Sequence, residues 1–277
     1  AIKRFLSYLP QNVWHLPPVV KCDDPVERRE EALLSIVPRE RRQAYNMKKL
    51  ISLIVDRDSM FEIQPTYGRS VITSFARMDG KVVGVIANNP LVYGGAMGVK
   101  AAKKQTHFME LCDTFHIPII FLVDVPGFMV GTQAEAAATL REGMRAVYVG
   151  LQLTVPMLTV VIRKCYGMAG MGTTDKNGLD LKIAWPSAEW GSLPVEGGVA
   201  AAYRREIQAA ADPELRVREI EADLRKFASP VLTAEAFAVE DVIDPRDTRP
   251  YLCRFVNAMQ DKLATTAGPK FKSGVRP

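Results

Sequence analysis

The order of apolar and polar positions predicts β-strands and α-helices that alternate through the middle of the chain. Two runs rich in β-branched residues, 71–76 and 82–87, lie on either side of an Asp-Gly pair, which is typical of a β-hairpin. The runs 118–124 and 155–162 are apolar almost throughout, as expected of strands buried on both faces of a sheet. A shorter strand is expected at 181–185 and a loop at 188–195.

Apolar residues at helical spacing predict helices between and after these strands. They are expected near 43–56, from the glycines at 94–98 to about 116, and at 132–152, 196–210, 213–228 and 250–263. Thr132 and Glu135 have the spacing of a capping box, so Glu135 is interpreted as a capping residue rather than a catalytic one. Alternating strands and helices indicate an α/β fold with mostly parallel pairing and right-handed connections.

The chain divides into three parts by composition. Residues 1–45 are rich in proline and charge and are interpreted as an extended arm or linker with one short helix near 27–36. Residues 46–264 would form the α/β domain, and residues 265–277 a flexible tail. Because the chain opens on Ala1, without an initiator methionine or a signal-peptide pattern, we expect it to be a piece of a longer polypeptide.

Composition argues against several classes of protein. The chain has 277 residues, of which 48% are hydrophobic and 24% charged, so it can bury a large core. Its net charge of +5 includes no dense basic block, and no nucleic-acid partner is expected. No run of about 18 apolar residues predicts a membrane span. The four cysteines and three histidines lack metal-binding or catalytic spacing, so we expect reduced thiols and no metal.

Glycine-rich loops follow three of the predicted strands, at 93–98, 125–131 and 166–172. The carboxyl ends of parallel strands meet at one edge of a sheet, where ligands bind in α/β proteins. Glycines there let a ligand approach the main chain, and the N–H groups of a first helical turn can donate to it. The loops therefore indicate either tight strand-to-helix turns alone or a main-chain oxyanion site suited to enolate chemistry.

Motifs in and around these loops are ordered along nearly the whole chain. The principal ones are Val-Asp-Val-Pro-Gly-Phe at 123–128, Gly-Thr at 131–132, Arg-Lys-Cys-Tyr-Gly at 163–167 and Ala-Trp-Pro-Ser-Ala-Glu at 184–189. Supporting segments lie at 7–10, 55–62, 85–90 and 244–249. Together they resemble the carboxyltransferase (β) subunits of biotin-dependent acyl-CoA carboxylases of the propionyl-, acetyl- and methylcrotonyl-CoA type. The resemblance covers only the C-terminal half of such a subunit.

The resemblance implies a crotonase-like (ClpP/crotonase) β-β-α spiral in each half of the subunit. It implies that the N-terminal half holds acyl-CoA, that the C-terminal half receives carboxybiotin from a carrier domain, and that the active site forms where the two halves of different subunits meet. The implied partners are the N-terminal half, a biotin carboxylase with its biotin carrier, and further copies in a dimer or hexamer. The implied location is the bacterial cytoplasm or the mitochondrial matrix. Without the N-terminal half, the chain is expected to be inactive.

The resemblance also implies which residues carry the reaction. The main-chain N–H groups of Met168 and Ala169 would hold the biotin oxygen that becomes negative while the carboxyl group moves, through an acyl-CoA enolate, to the α-carbon. The residues implied to bind biotin are Gly127, Phe128, Gly131, Tyr166 and Gly167, and those implied on the substrate side are Gly94, Gly95 and Met171. For Phe128 and Tyr166, packing in the core is an equally good interpretation. Met171 would occupy a position that influences acyl length.

The chain departs from the family pattern in the third loop, where Gly-Met-Ala-Gly at 167–170 stands in place of Gly-Gly-Ala-Tyr. The main-chain donors survive this change, but the shape of the pocket must differ. Three alternatives stay open: a biotin-dependent decarboxylase, another crotonase-like acyl-CoA enzyme that uses a carboxylate base, and a non-catalytic assembly subunit. Lys100, Lys103 and Lys104 are interpreted as a solvated helix face rather than a site for CoA phosphates.

Overall fold

The structure, a computed structural model, describes residues 1–172, 180–192 and 195–271. Eight strands in this part of the chain form one mixed sheet. They are β1 (Phe61–Ile63), β2 (Val71–Met78), β3 (Lys81–Asn88), β4 (Ile119–Val125), β5 (Met157–Tyr166), β6 (Leu181–Ala184), β7 (Glu189–Gly191) and β8 (Asp241–Val242). Strands β1 to β3 are antiparallel, whereas β3, β4, β5, β6 and β8 lie side by side in parallel, with β7 paired to the end of β5.

Helices precede the sheet, connect its parallel strands and follow them. They are α1 (Ile2–Leu6), α2 (Met47–Ile54), α3 (Val99–Thr114), α4 (Thr132–Ala136), α5 (Thr139–Gln152), α6 (Val195–Ala202), α7 (Arg204–Ala209), α8 (Pro213–Lys226), α9 (Pro230–Glu235), α10 (Thr248–Ala258) and α11 (Gln260–Thr265). The predicted alternation of strands and helices is confirmed. So is the hairpin, whose turn residues Asp79 and Gly80 both have the positive φ angles, 52° and 76°, that such a turn requires.

Several boundaries differ from the predictions. The capping box is wrong: α4 begins after Gly131, no side chain caps it, and Thr132 is already inside the helix, so its hydroxyl is misplaced to serve as a cap. The predicted helix at 132–152 breaks at Ala138, whose φ of 63° is left-handed. The helix predicted near 27–36 is only a 3₁₀ turn, Glu31–Leu34. Strand β8 and helix α9 were not predicted, and the predicted loop at 188–195 contains β7. Two residues of that loop, 193–194, and residues 272–277 of the tail lie outside the described residues.

The N-terminal arm packs against the domain along both faces of the sheet. Tyr8 is 3% exposed, and its ring stacks on Phe61 and Phe75 with centroid distances of 6.1 and 5.7 Å. On the other face, Arg249 of α10 donates to main-chain oxygens of the arm and pairs with Asp56 at 2.8 Å. The division of the chain at residue 45 stays a prediction, but the arm contributes to the same core.

Apolar side chains form two layers, one on each face of the sheet. One layer packs the sheet against α3 and α5, and the other packs it against α2 and α10. Strand β4 is buried along its whole length and β5 at every residue except Lys164, because helices cover both faces, as the apolar runs 118–124 and 155–162 predict. No helix among the described residues is long and apolar enough to cross a bilayer.

Candidate functional site

The three glycine-rich loops begin at the carboxyl ends of β3, β4 and β5, which are parallel neighbours in the sheet. The loops therefore lie at one edge, as the sequence predicts. Each follows the last buried residue of its strand and turns the chain away from the sheet. This edge is where α/β proteins bind their ligands.

The first and second loops are hydrogen-bonded to each other. The N–H of Met97 donates to the Gly127 oxygen at 3.0 Å, and the N–H of Met129 donates to the Met97 oxygen at 2.9 Å. Gly95 also approaches the end of β4 so closely that a Cβ there would lie 2.4 Å from the main-chain oxygen of Asp124. The structure thus brings the first and second loops together, and with them the glycines that the resemblance assigns to the substrate side and to biotin.

A cavity of about 630 Å³ opens between the first and second loops. Its wall includes Tyr93 and Met129, and Arg69 and Lys100 bring positive charge to it, while no carboxylate is among the described residues that line it. The third loop is not part of this wall. Lys104, one turn further along α3 than Lys100, is buried instead, so the prediction of a solvated face is wrong for this residue.

The third loop forms one π-helical turn, Met168–Gly172. Ala169 is fully buried, whereas Met168 is 46% and Met171 37% exposed. The turn is pressed onto the end of β5, since a Cβ on Gly170 would lie 2.6 Å from the carbonyl carbon of Cys165. It therefore has a fixed inner side and an exposed outer side at the edge of the sheet.

Two aromatic residues implied to bind biotin contact the protein itself. The ring of Phe128 packs on α5, because a Cβ on Gly143 would lie only 2.7 Å from Cε1 of that ring. Tyr166 is 1% exposed, so what this residue can offer a ligand is its main chain. Phe128 thereby helps to fix the second loop on α5.

Sequence reasoning missed a buried ion pair directly beneath the loops. Asp124, at the end of β4, is fully buried and contacts Arg163 of β5, with 3.0 Å between Oδ2 and Nη2. The Arg163 guanidinium lies 4.9 Å from the ring centroid of Tyr45, and burial together with the negative Asp124 raises the pKa of the Tyr45 hydroxyl well above its usual value. A signal for the pair was present, since charged residues close to the ends of two apolar strands need a partner. No sequence pattern indicated that Tyr45 would lie beside this pair.

Residues 1–273 match the family described as carboxyl transferase domain. Over 263 residues the chain is 38% identical to the carboxyltransferase subunit of propionyl-CoA carboxylase from Haloferax mediterranei, an alignment that covers 94% of this chain and 51% of that protein. It is also 35% identical over 263 residues to the alpha subunit of methylmalonyl-CoA decarboxylase from Propionigenium modestum, with the same 94% and 51% coverage.

The structure is similar to that of transcarboxylase 12S, which was solved as a hexamer with methylmalonyl-coenzyme A and methylmalonic acid bound. The TM-score is 0.85 at 32% sequence identity, and the match covers 100% of this chain and 52% of that chain. The predicted α/β fold of the crotonase-like type is thereby confirmed. The chain spans about half the length of the proteins it matches.

Proposed function

The chain belongs to the carboxyl transferase domain family, and we propose that it is the biotin-receiving half of an acyl-CoA carboxyltransferase. In the proposed reaction, the carboxyl group of carboxybiotin on a carrier passes to the α-carbon of an acyl-CoA. The observation that carries the proposal is the placement of three main-chain loops at one sheet edge, with Met168 and Ala169 in the third. Biotin supplies the carboxyl group when it is bound, and the chain supplies position and hydrogen bonds.

The glycines of the loops fit a ligand that contacts the main chain. A Cβ on Gly94, Gly127 or Gly131 would meet no atom within 4 Å, so open space borders the backbone at all three positions. A ligand can come into contact with the main chain there, which a larger side chain would prevent.

In the proposal, Met168 and Ala169 donate their N–H groups to the ureido oxygen of biotin. Donors that are already fixed stabilise developing negative charge without having to reorganise, and a buried setting strengthens the effect. The tight packing of the turn on β5 supports this role. Because the side chain at position 168 takes no part in donation, methionine in place of the family's glycine is compatible with it.

An apolar stripe on α5 supports assembly with a second carboxyl transferase half. The stripe consists of Leu140, Met144, Tyr148 and Leu151, which are 58%, 39%, 40% and 52% exposed, and it lies on the helix that the third loop contacts. Since the relatives are about twice as long as this chain, we propose that an N-terminal half covers the α5 stripe and brings acyl-CoA. Assembly into a hexamer and supply of carboxybiotin by a biotin carboxylase belong to the same proposal.

A decarboxylase is the second candidate, because one relative with 35% identity is a methylmalonyl-CoA decarboxylase subunit. It would use the same loops to move a carboxyl group from acyl-CoA to biotin. A hydratase or isomerase would need a carboxylate base positioned at the loops, and no motif in the sequence supplies one. Asp124 is not available for that role because it is buried in its ion pair.

The test joins this chain to an N-terminal carboxyl transferase half and supplies a biotinylated carrier carrying a labelled carboxyl group. The proposal predicts that label appears in acyl-CoA, with propionyl-CoA as the first probe. In the reverse assay, with labelled methylmalonyl-CoA and an uncarboxylated carrier, transfer of label to biotin without transfer in the forward direction would support the decarboxylase. Enoyl-CoA hydration without biotin would contradict both, and an assembled but inert protein would indicate an assembly subunit.

A further inference from the structure

The ladder between β4 and β5 is irregular directly before the third loop. Residues pair one to one from Ile119↔Met157 to Val123↔Val161, but the next pair is Val125↔Cys165. Strand β4 thus advances by two residues while β5 advances by four, which places a bulge in β5. Bulges redirect the strand that carries them. This bulge therefore sets the direction in which β5 delivers the chain to Met168.

The carboxylate of Asp124 fills this bulge. Its Oδ1 accepts from the N–H of Lys164 at 3.2 Å, and its Oδ2 accepts from Nε of Arg163 at 3.1 Å. The N–H of Asp124 in turn donates to the side-chain oxygen of Asn88, the last residue of β3, at 3.1 Å. One residue therefore ties together the ends of the three strands that carry the loops.

Arg163 connects the bulge to the N-terminal arm. Its Nη1 donates to the main-chain oxygen of Gln43 at 2.9 Å, and its guanidinium lies over the ring of Tyr45. Asp124 is 0% and Arg163 4% exposed, so neither side chain can touch a substrate. A charged pair held in the interior by this many directional contacts constrains geometry more than it adds stability.

We propose that Asp124 and Arg163 are positioning residues, which set the bulge in β5 and thereby aim the N–H groups of Met168 and Ala169 at the reacting oxygen. The inference rests on the proposed function for its chemistry, although the geometric claim concerns this chain alone. Small misplacements of catalytic groups lower the rate of the chemical step. Asp124 and Arg163 therefore act on turnover without contacting substrate.

A matched control lies at the opposite edge of the sheet. Asp56 and Arg249 form an equally buried ion pair, with 2.8 Å between Oδ1 and Nη2 and side-chain exposures of 6% and 1%. Asp56 accepts from the N–H groups of Asp79 and Gly80, in the turn that precedes β3. Removing the Asp56 charge likewise neutralises the carboxylate of a buried ion pair, although Arg249 keeps Asp24 at 3.7 Å, and it leaves the loop edge untouched.

The first measurement compares Asp124→Asn with Asp56→Asn in the protein joined to its N-terminal half. Asp124→Asn is expected to lower kcat about 10- to 100-fold while KM for acyl-CoA changes by less than about twofold, because donors are misaimed but the substrate surface is intact. Asp56→Asn is expected to leave kcat within about twofold. Equal losses of kcat in both variants, or an unchanged kcat in Asp124→Asn, would overturn the proposal.

The second measurement needs no activity and uses the chain by itself. Amide hydrogen exchange of the segment 164–171 is expected to be at least about tenfold faster in Asp124→Asn than in the unaltered chain, and unchanged in Asp56→Asn. Unchanged exchange in Asp124→Asn would refute the positioning role, whether or not the joined protein transfers a carboxyl group. A joined protein that transfers no carboxyl group would count against the proposed function alone. If Asp124→Asn does not fold, Asp124→Asn combined with Arg163→Gln leaves no unpaired charge and is expected to show the same two effects.

Discussion

Lys104 is a charged residue in the interior. It is 1% exposed, and its ammonium donates to the main-chain oxygen of Val71 at 2.8 Å. Burial lowers the pKa of its ammonium group to about 8, against an ordinary value of 10.5, although nearby Glu62 opposes the shift. The folded chain therefore bears the cost of a buried charge at neutral pH.

The stability contribution of Lys104 should depend on pH in a defined window. Below pH 8 the ammonium is charged in both states and the penalty is complete, whereas between about pH 8 and 10.5 only the unfolded chain keeps the proton. The free energy of unfolding of the unaltered chain, relative to Lys104→Met, should therefore rise as pH rises through that window. Urea denaturation at several pH values measures it. A difference that stays flat between about pH 8 and 10.5 would refute the account.

Gly94 and Gly95 differ in what surrounds them, although both have positive φ, 62° and 88°. A Cβ on Gly95 would lie 2.4 Å from the Asp124 oxygen, whereas one on Gly94 would meet nothing within 4 Å. Gly94→Ala should cost about 1–2 kcal/mol of backbone strain, and Gly95→Ala about 3 kcal/mol or more, since strain and clash add. Chemical denaturation of both variants gives the comparison. Equal losses would mean that the first loop can move away from β4.

At the scale of elements, the break between α4 and α5 depends on one residue. Ala138 has a φ of 63°, a conformation that costs a residue with a Cβ about 1–2 kcal/mol. Ala138→Gly should therefore stabilise the chain by about 0.5–1 kcal/mol, once the greater entropy of glycine in the unfolded chain is subtracted. The neighbouring Ala137, with a φ of −81°, is the control, and Ala137→Gly should destabilise it. Chemical denaturation measures both variants, provided that the dependence of the unfolding free energy on denaturant concentration is the same as in the unaltered chain. A loss of stability in Ala138→Gly would contradict the strain argument.

The elements themselves were largely predictable where apolar periodicity is long. The hairpin, α3, and the buried strands β4 and β5 have long sequence patterns, each of which indicates one type of secondary structure. The break at Ala138 was not predictable, because alanine favours helix and no glycine, proline or polar turn residue marks the position. Strand β8 has two residues, too few to show any period. The end of β5 was underestimated because Arg163 and Lys164 interrupt the apolar run, although Arg163 is buried by its ion pair.

At the scale of the whole molecule, the α5 stripe is expected to be an interface. Leu151→Glu combined with Leu140→Glu should weaken association with the N-terminal half at least about tenfold, because burying an unpaired carboxylate is costly. Phe271→Glu is the control, since Phe271 is 94% exposed and lies outside the stripe. Size-exclusion chromatography with multi-angle scattering would report the change. Undiminished association of the double variant would place the interface elsewhere.

The location of the candidate site was predictable from the sequence, but the contacts that hold its loops in place were not. Three glycine loops after parallel strands fix the sheet edge, and the motif at 163–167 marks the third loop. Nothing in the sequence indicated that the arm reaches this edge, where Gln43 and Tyr45 contact Arg163. Such contacts join residues 120 positions apart in the chain, and local patterns do not encode them. The exposed position of Met168 likewise follows only from the π-helical turn.

The most direct measurement removes one peptide N–H from the third loop. Proline lacks this hydrogen and is tolerated at the first position of a helical turn, which Met168 occupies, whereas alanine keeps the hydrogen and removes only the side chain. In the protein joined to its N-terminal half, Met168→Pro should lower carboxyl transfer to acyl-CoA about 100- to 1000-fold, and Met168→Ala should lower it by less than about fivefold. Transfer by Met168→Pro at the rate of Met168→Ala would contradict a main-chain oxyanion site.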